Sequence, residues 1–221
     1  MIRKTPFIPE AVLFDMDGLM LDTEKPIAET WLEASLLMGW RVETEVAYKT
    51  IGINEAATRE LLMREYGPNF PYQKIREELE KILRKKFEEE GIAHRPGLLT
   101  LLNHLDTLGV PLGVATSTSK ETALWKLDKA RIRERFSVMV FGDEVQRGKP
   151  APDIFLLAAE RLGKNPRRCV GFEDSPAGLQ SLHSAGIPSV FVQDLVEPPP
   201  AIIATVWRRC GDLAEAAALF G

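Results

Sequence analysis

Cysteine and histidine are both scarce: Cys169 and Cys210 are the only thiols in 221 residues, beside three histidines. Two cysteines are too few for a disulfide framework or a zinc site. Cys169 falls inside an apolar run and reads as a small buried hydrophobe. Long hydrophobic runs are missing too. No segment approaches the length of a membrane span, and Met1-Ile2-Arg3-Lys4-Thr5-Pro6 lacks the apolar region of a signal peptide. The expectation is a cytoplasmic protein with no membrane partner. Nor is there an excess of positive charge. At a net −4 the chain lacks the broad basic surface that nucleic-acid binding uses, so no nucleic-acid partner is expected. What is present is ordinary for a soluble enzyme: 45% hydrophobic and 27% charged residues. The length suits one large domain or two small ones.

The most informative stretch runs from Ala11 to Gly18. Ala11-Val12-Leu13-Phe14 is a short apolar run that ends abruptly in Asp15-Met16-Asp17-Gly18. Such a run reads as a strand buried on both faces, and in a parallel α/β sheet ligands bind at the carboxyl ends of strands. Two acids placed there are costly unless a cation or a reaction uses them. Being two residues apart, both can reach the same side of the strand end. Gly18 then lets the backbone turn away. By itself the segment could be a simple Asp-Gly turn.

The same pattern recurs downstream, which weakens that simpler reading. From Arg95 onward, helix and strand signals alternate. Helices are expected over 97–108, 121–130, 153–162 and 177–185, and strands over 110–115, 138–141, 169–172 and 189–192. This alternation predicts a parallel sheet with helices on both faces. Residues 23–94 instead show helical periodicity with hardly any strand signal, with helices expected over 27–38, 55–66 and 72–90. The fold class is therefore α/β: a Rossmann-like core (1–22 and 95–221) carrying an inserted all-helical cap (23–94). The charged run 81–90 reads as a solvated helix face laced by ion pairs.

Polar residues end several strands: Asp15 and Asp17, Thr116 with Ser117, and Glu173 with Asp174, with Lys149 in the loop after the third strand. Hard oxygen donors without a Cys/His cluster suit Mg²⁺. A lysine and a hydroxyl suit the oxygens of a transferring phosphoryl group, and a carboxylate can serve as nucleophile. Thr116 could instead cap the following helix, Lys149 could be a loop lysine, and the acid pair could be an exposed turn. His94, His104 and His183 fall outside these motifs and receive no role.

Phe14-Asp15-Met16-Asp17-Gly18, Thr116, Gly148-Lys149-Pro150-Ala151-Pro152-Asp153 and Gly171-Phe172-Glu173-Asp174-Ser175 resemble, in order, the four motifs of the haloacid dehalogenase-like hydrolases. The resemblance covers the whole chain, including a C1-type cap. It implies that Asp15 is a nucleophile that becomes phosphorylated and also binds Mg²⁺. It makes Asp17 the general acid/base, whose backbone carbonyl ligates the metal. Thr116 would hydrogen-bond the phosphoryl group and Lys149 would screen charge on it. Asp174 would hold Mg²⁺, with Glu173 a direct or water-mediated ligand. Ser117, Met16 and Asp17 would offer backbone N–H groups.

The implied activity is Mg²⁺-dependent hydrolysis of a small phosphorylated metabolite, a sugar phosphate or similar, by a monomer or small homo-oligomer. The alternative is a phosphosugar mutase, because Phe14–Glu24 and Gly171–Gly178 also resemble the β-phosphoglucomutase branch. That branch carries a histidine and an arginine where this chain aligns Ile27 and Glu55. Dehalogenase chemistry is disfavoured by Asp17, which that branch lacks. Phosphonatase chemistry would need a Schiff-base lysine in the cap, and nothing marks Lys25 or Lys49 as one. A non-catalytic scaffold would not need to keep these buried charges. Lys49 to Glu55, turning at Gly52, is expected to face the site.

Overall fold

The computed structural model describes residues 8–51, 53 and 55–221; Met1–Phe7 and the loop positions Gly52 and Asn54 lie outside the described residues. The chain begins with β1 (Ala11–Phe14), followed by four helices, α1 (Glu24–Leu37), α2 (Thr44–Tyr48), α3 (Glu55–Tyr66) and α4 (Tyr72–Glu90). Alternation then sets in: α5 (Leu98–Thr107), β2 (Leu112–Ala115), α6 (Lys120–Lys129), β3 (Val138–Val140), α7 (Asp153–Arg161), β4 (Cys169–Glu173) and α8 (Pro176–Ala185). It closes with β5 (Ser189–Val192), α9 (Pro200–Ile203), β6 (Arg208–Cys210) and α10 (Leu213–Ala217). The six strands form one parallel sheet in the order β3-β2-β1-β4-β5-β6.

The continuous apolar runs have a direct cause. Alternate residues of a strand point to opposite faces, and here both faces are covered. Val12 and Phe14 join a cluster with Leu101, Leu105, Leu127 and Leu213, drawn from α5, α6 and α10. Ala11 and Leu13 join one with Ile154, Phe155 and Leu182, from α7 and α8. The Phe14 and Phe172 rings stack at 5.1 Å across neighbouring strands. This is a Rossmann-like α/β fold with helices on both faces and a helical insertion after β1.

β1 lies between β2 and β4, so the chain turns to either side of it and opens a crevice at the strand ends. Three of the motif-bearing ends thereby become neighbours. The insertion has aromatic packing of its own: Trp31 of α1 lies 5.7 Å from Tyr72 of α4, and Tyr66 and Trp40 flank Phe70. Its two connections to the sheet run side by side. Asp22 N donates to Ala93 O and Arg95 N to Met20 O, both at 2.9 Å.

Several expectations need correction. β2 begins at Leu112 rather than Val110, since Pro111 has no N–H to give the ladder. The edge strand β6 and the helices α2, α9 and α10 were not expected. β6 escapes a hydrophobic reading because Arg208 and Arg209 are exposed. The run 81–90 is only partly a solvated face. Its ion pairs are present, Lys81–Glu78 and Arg84–Glu88, but Leu83 and Phe87 are buried and Arg84 borders a cavity. Both cysteines are free and buried, in keeping with Cys169 as a small hydrophobe.

Candidate active site

The crevice widens into a cavity of about 1030 Å³, bounded by the strand ends below and the helical insertion above. Asp15, Asp17, Thr116, Ser117, Lys149 and Asp174 all border it. Asp15 follows β1 directly, and its N–H continues the sheet to Phe172 O at 3.1 Å. Gly18 makes the turn behind the two acids possible. Its φ is +81°, and a Cβ there would run into the Asp174 carboxylate.

Lys149 is the hub of the contacts around Asp15. Its ammonium hydrogen-bonds Asp15 Oδ1 and, at 2.6 Å, Glu173 Oε1. It also lies 4.8 Å from the Phe155 ring centroid, so α7 backs it with an aromatic face. Arg147 and Asp153 close the surrounding loop with two hydrogen bonds of 3.1 and 2.7 Å.

Glu173 has no accessible surface, and its second oxygen is fully occupied. Oε2 accepts from Asp174 N, Ser175 N and Ser175 Oγ at 2.9–3.0 Å. Gly178, near the start of α8, leaves room for this carboxylate: any Cβ there would overlap it. Asp174 contrasts sharply. It is buried, yet its Oδ1 has no hydrogen-bond partner. One oxygen from each of Asp15, Glu173 and Asp174 lies within 4.8 Å of the others. A buried carboxylate oxygen without a donor beside two more carboxylates suits a hard cation.

The charge states follow. Burial, with the Glu173 carboxylate, pushes Asp15 up to about 8 against the pull of Lys149. Burial raises Asp174 as well, reinforced by Glu173 and Asp15. Burial opposes the charge on Lys149, but Asp15 and Glu173 hold its ammonium above the ordinary range. With one lysine among three buried carboxylates, Asp15 and Asp174 are pushed toward their protonated, neutral forms when no cation is bound.

Asp17 is served differently. Oδ1 accepts from Lys126 Nζ at 2.6 Å and Thr23 Oγ1 at 2.7 Å, while Oδ2 accepts from Thr118 Oγ1 at 2.8 Å. Burial raises Asp17, but Lys126 and the two hydroxyls outweigh it and hold the group below its usual range. Sequence reasoning missed Lys126, Thr23 and Thr118. A signal for Lys126 existed: Ala123, Lys126 and Leu127 form the inward stripe of α6, where a lysine needs a partner.

Thr116 is buried at the end of β2, and its Oγ1 accepts from Thr118 N at 3.1 Å. Capping of α6 falls to Asp143 instead, which accepts from Lys120 N. Ser117 is exposed on the cavity wall, and Met16 is buried with its carbonyl accepting from Met20 and Leu21. Ile27 and Glu55 both border the cavity. Of the loop expected to face the site, Thr50 and Ile53 border it too, while its turn at Gly52 lies outside the described residues. The histidines stay apart: His94 contacts Ala130 O, His104 contacts Phe220 O, and His183 is exposed.

The carboxylates of Asp15 and Asp17, the Thr116 hydroxyl and the Lys149 ammonium thus meet at one end of the parallel sheet, beneath the helical insertion, in surroundings suited to phosphoryl transfer. The model of the haloacid dehalogenase-like hydrolases matches residues 9–186, and the chain belongs to that family. It is 34% identical over 188 residues to a phosphorylated carbohydrates phosphatase of Thermotoga maritima, covering 82% of this chain and 84% of that one. It is 31% identical to hexitol phosphatase A of Escherichia coli, with coverage of 85% and 84%. Among solved structures, CbbY from Rhodobacter sphaeroides in complex with phosphate superposes with a TM-score of 0.78 at 26% identity, covering 94% and 96% of the two chains.

Proposed function

We propose that the chain hydrolyses a small phosphorylated metabolite, a sugar phosphate in the first instance, through phosphorylation of Asp15 and with Mg²⁺ as cofactor. The observation that carries this is the buried Asp15–Lys149–Glu173 triad beside the partnerless Asp174 Oδ1, at the floor of a cavity large enough for a metabolite. The relatives named for phosphorylated carbohydrates and hexitols support the substrate class.

In this reading an Asp15 oxygen attacks phosphorus and the ester P–O bond breaks. Asp17, a carboxylate in the free site, takes up the proton carried in by the phosphate ester's monoanion and passes it to the departing alcohol oxygen. Water then attacks the phosphorus, giving its proton to Asp17, and the bond to Asp15 breaks to release inorganic phosphate. Lys149 and the Thr116 hydroxyl bind phosphoryl oxygens, with backbone N–H groups of Met16, Asp17 and Ser117. Asp15, Asp174 and the Asp17 carbonyl would hold Mg²⁺. Glu173, whose oxygens are already taken by Lys149, Asp174 N and Ser175, fits a supporting position better than a direct bond. When bound, Mg²⁺ supplies positive charge that lets an anionic nucleophile approach an anionic phosphate.

Residues 23–94 act as the cap that closes over the substrate and excludes water. Arg84 of α4 over the Trp125 ring, at 5.2 Å, supports this as a cap-to-core contact. Ile27 and Glu55 on the cavity wall favour hydrolysis over the mutase alternative: an isoleucine cannot orient Asp17 and a glutamate disfavours a second phosphate. Among the described residues no helix is long and apolar enough to cross a membrane. The same proposal places its action in the cytoplasm, as a monomer or small homo-oligomer. Assay of phosphorylated metabolites with Mg²⁺ tests the reading. Release of phosphate from sugar phosphates supports it. Glucose 6-phosphate forming from β-glucose 1-phosphate and a bisphosphate primer faster than free phosphate appears would favour the mutase.

A further inference from the structure

Lys126 stands outside the four motifs and is held where lysine is rarely found. It occupies the inward stripe of α6 between Ala123 and Leu127, with a side chain 9% exposed. Removing an ammonium from water is unfavourable unless a charged partner compensates, and here the partner is Asp17 Oδ1 at 2.6 Å. The helix carrying it is fixed at two points. Asp143 receives the Lys120 N–H at its start, and Trp125, the residue before Lys126, lies beneath Arg84 of α4.

The three groups around Asp17 are not equivalent. Thr23 and Thr118 are hydroxyls, which can rotate and either donate or accept. An ammonium can only donate. Oδ1 therefore stays an acceptor committed to Lys126 and Thr23, while Oδ2 has Thr118 as its donor. We propose that Lys126 is a positioning residue, fixing the Asp17 carboxylate so that Oδ2 is the oxygen presented to the leaving group. The proposal rests on the reading of Asp17 as general acid/base. Lys126 borders the cavity beside Asp17, and in this role it acts through Asp17 rather than on the substrate. It acts on ester cleavage through Asp17 alone, so its effect depends on how much the leaving oxygen needs a proton.

The test is the dependence on leaving group of kcat/KM, which reports the steps through cleavage of the ester. The probes are a sugar phosphate that the wild type hydrolyses, with a poor alkoxide leaving group, and p-nitrophenyl phosphate, whose leaving group departs without a proton. Lys126→Met should lower kcat/KM for the sugar phosphate by about 30- to 100-fold, through kcat with KM little changed, as misplacement of an acid/base group does. On p-nitrophenyl phosphate the loss should stay below about 3-fold. Lys126→Arg, which keeps a cationic donor, should return the ratio of the two esters toward the wild-type value. Should Lys126→Met fail to fold, Lys126→Gln carries the test, with the same selective loss at about 10-fold. Equal losses on both esters, or no loss on the sugar phosphate, would overturn the positioning role while leaving the hydrolase reading intact. A wild type inactive on every phosphate ester would instead defeat the hydrolase reading and the proposal together.

Discussion

Asp15 and Asp17 stand two residues apart at the end of the same strand, and their surroundings are opposite. Asp15 shares one lysine with Glu173, lies near an Asp174 oxygen that has no partner, and is pushed up to about 8 chiefly by burial. Asp17 has a lysine and two hydroxyls, and is held below its usual range. One side is short of positive charge and the other has its charge met within the protein. A single Asp-x-Asp motif thus has two environments because different segments reach each acid: the loop before α7 for the first, and α6, the segment before it and the segment before α1 for the second.

Removing each acid should sharpen this contrast most. Asp15→Asn should lower turnover on the order of 10⁴-fold or more, as loss of a covalent nucleophile does. The variant should still unfold cooperatively, since Lys149 keeps Glu173. Steady-state kinetics with thermal unfolding checks both. Asp17→Asn should cost about 10²- to 10⁴-fold on a sugar phosphate, the range for a general acid/base. A loss as severe on p-nitrophenyl phosphate in the phosphorylation step would break the division of labour.

The deficit of positive charge around Asp15 makes a thermodynamic prediction. Asp15 and Asp174 have raised folded-state values, whereas an unfolded Asp titrates at about 3.9. Between these values the metal-free folded protein binds protons that the unfolded chain does not, so its stability falls as pH rises. The stabilisation is complete below about 3.9 and, for Asp15, is lost as pH climbs through about 8. Mg²⁺ should offset the deficit and raise the melting temperature. At one hundred times its Kd the gain is about 2.7 kcal/mol, or roughly 5–10 °C for a chain of this size. Turnover should stop in EDTA and return with Mg²⁺, and Asp174→Asn should reduce the melting shift. Thermal scans with and without Mg²⁺ across pH 5–8 check this, and a shift that is absent or independent of Asp174 would break the contrast.

The smallest effect belongs to the helical insertion. Arg84→Ala removes an exposed cation–π contact worth about 0.5–1 kcal/mol, and should change KM by about two- to five-fold with kcat retained. Solution scattering with and without a phosphate mimic should show a change in cap position.

What could be read from the sequence follows the same division. The nucleophile side was legible because each of its acids ends an apolar run buried on two faces, as Leu13 and Phe14 are before Asp15. The helical insertion was legible from periodicity. The partners of Asp17 were not: Lys126 lies 109 positions away, and only folding brings α6 against β1. Nor could the chain alone reveal that Ser175 and the Asp174 N–H occupy Glu173 and leave Asp174 Oδ1 open. β6 was hidden because Arg209 spends its charge on Glu197 and Gln193 at an exposed edge rather than joining a core.

The proposed division of labour requires that Asp15 become phosphorylated while Asp17 does not. Rapid acid quench of the enzyme turning over a sugar phosphate with Mg²⁺, followed by peptide mass spectrometry, measures this directly. The expected result is a phosphorylated peptide with the phosphoryl group on Asp15, absent in Asp15→Asn and accumulating in Asp17→Asn supplied with p-nitrophenyl phosphate, which forms it without a general acid. Phosphate release at the wild-type rate from Asp15→Asn, with no phosphorylated aspartate in either protein, would contradict it.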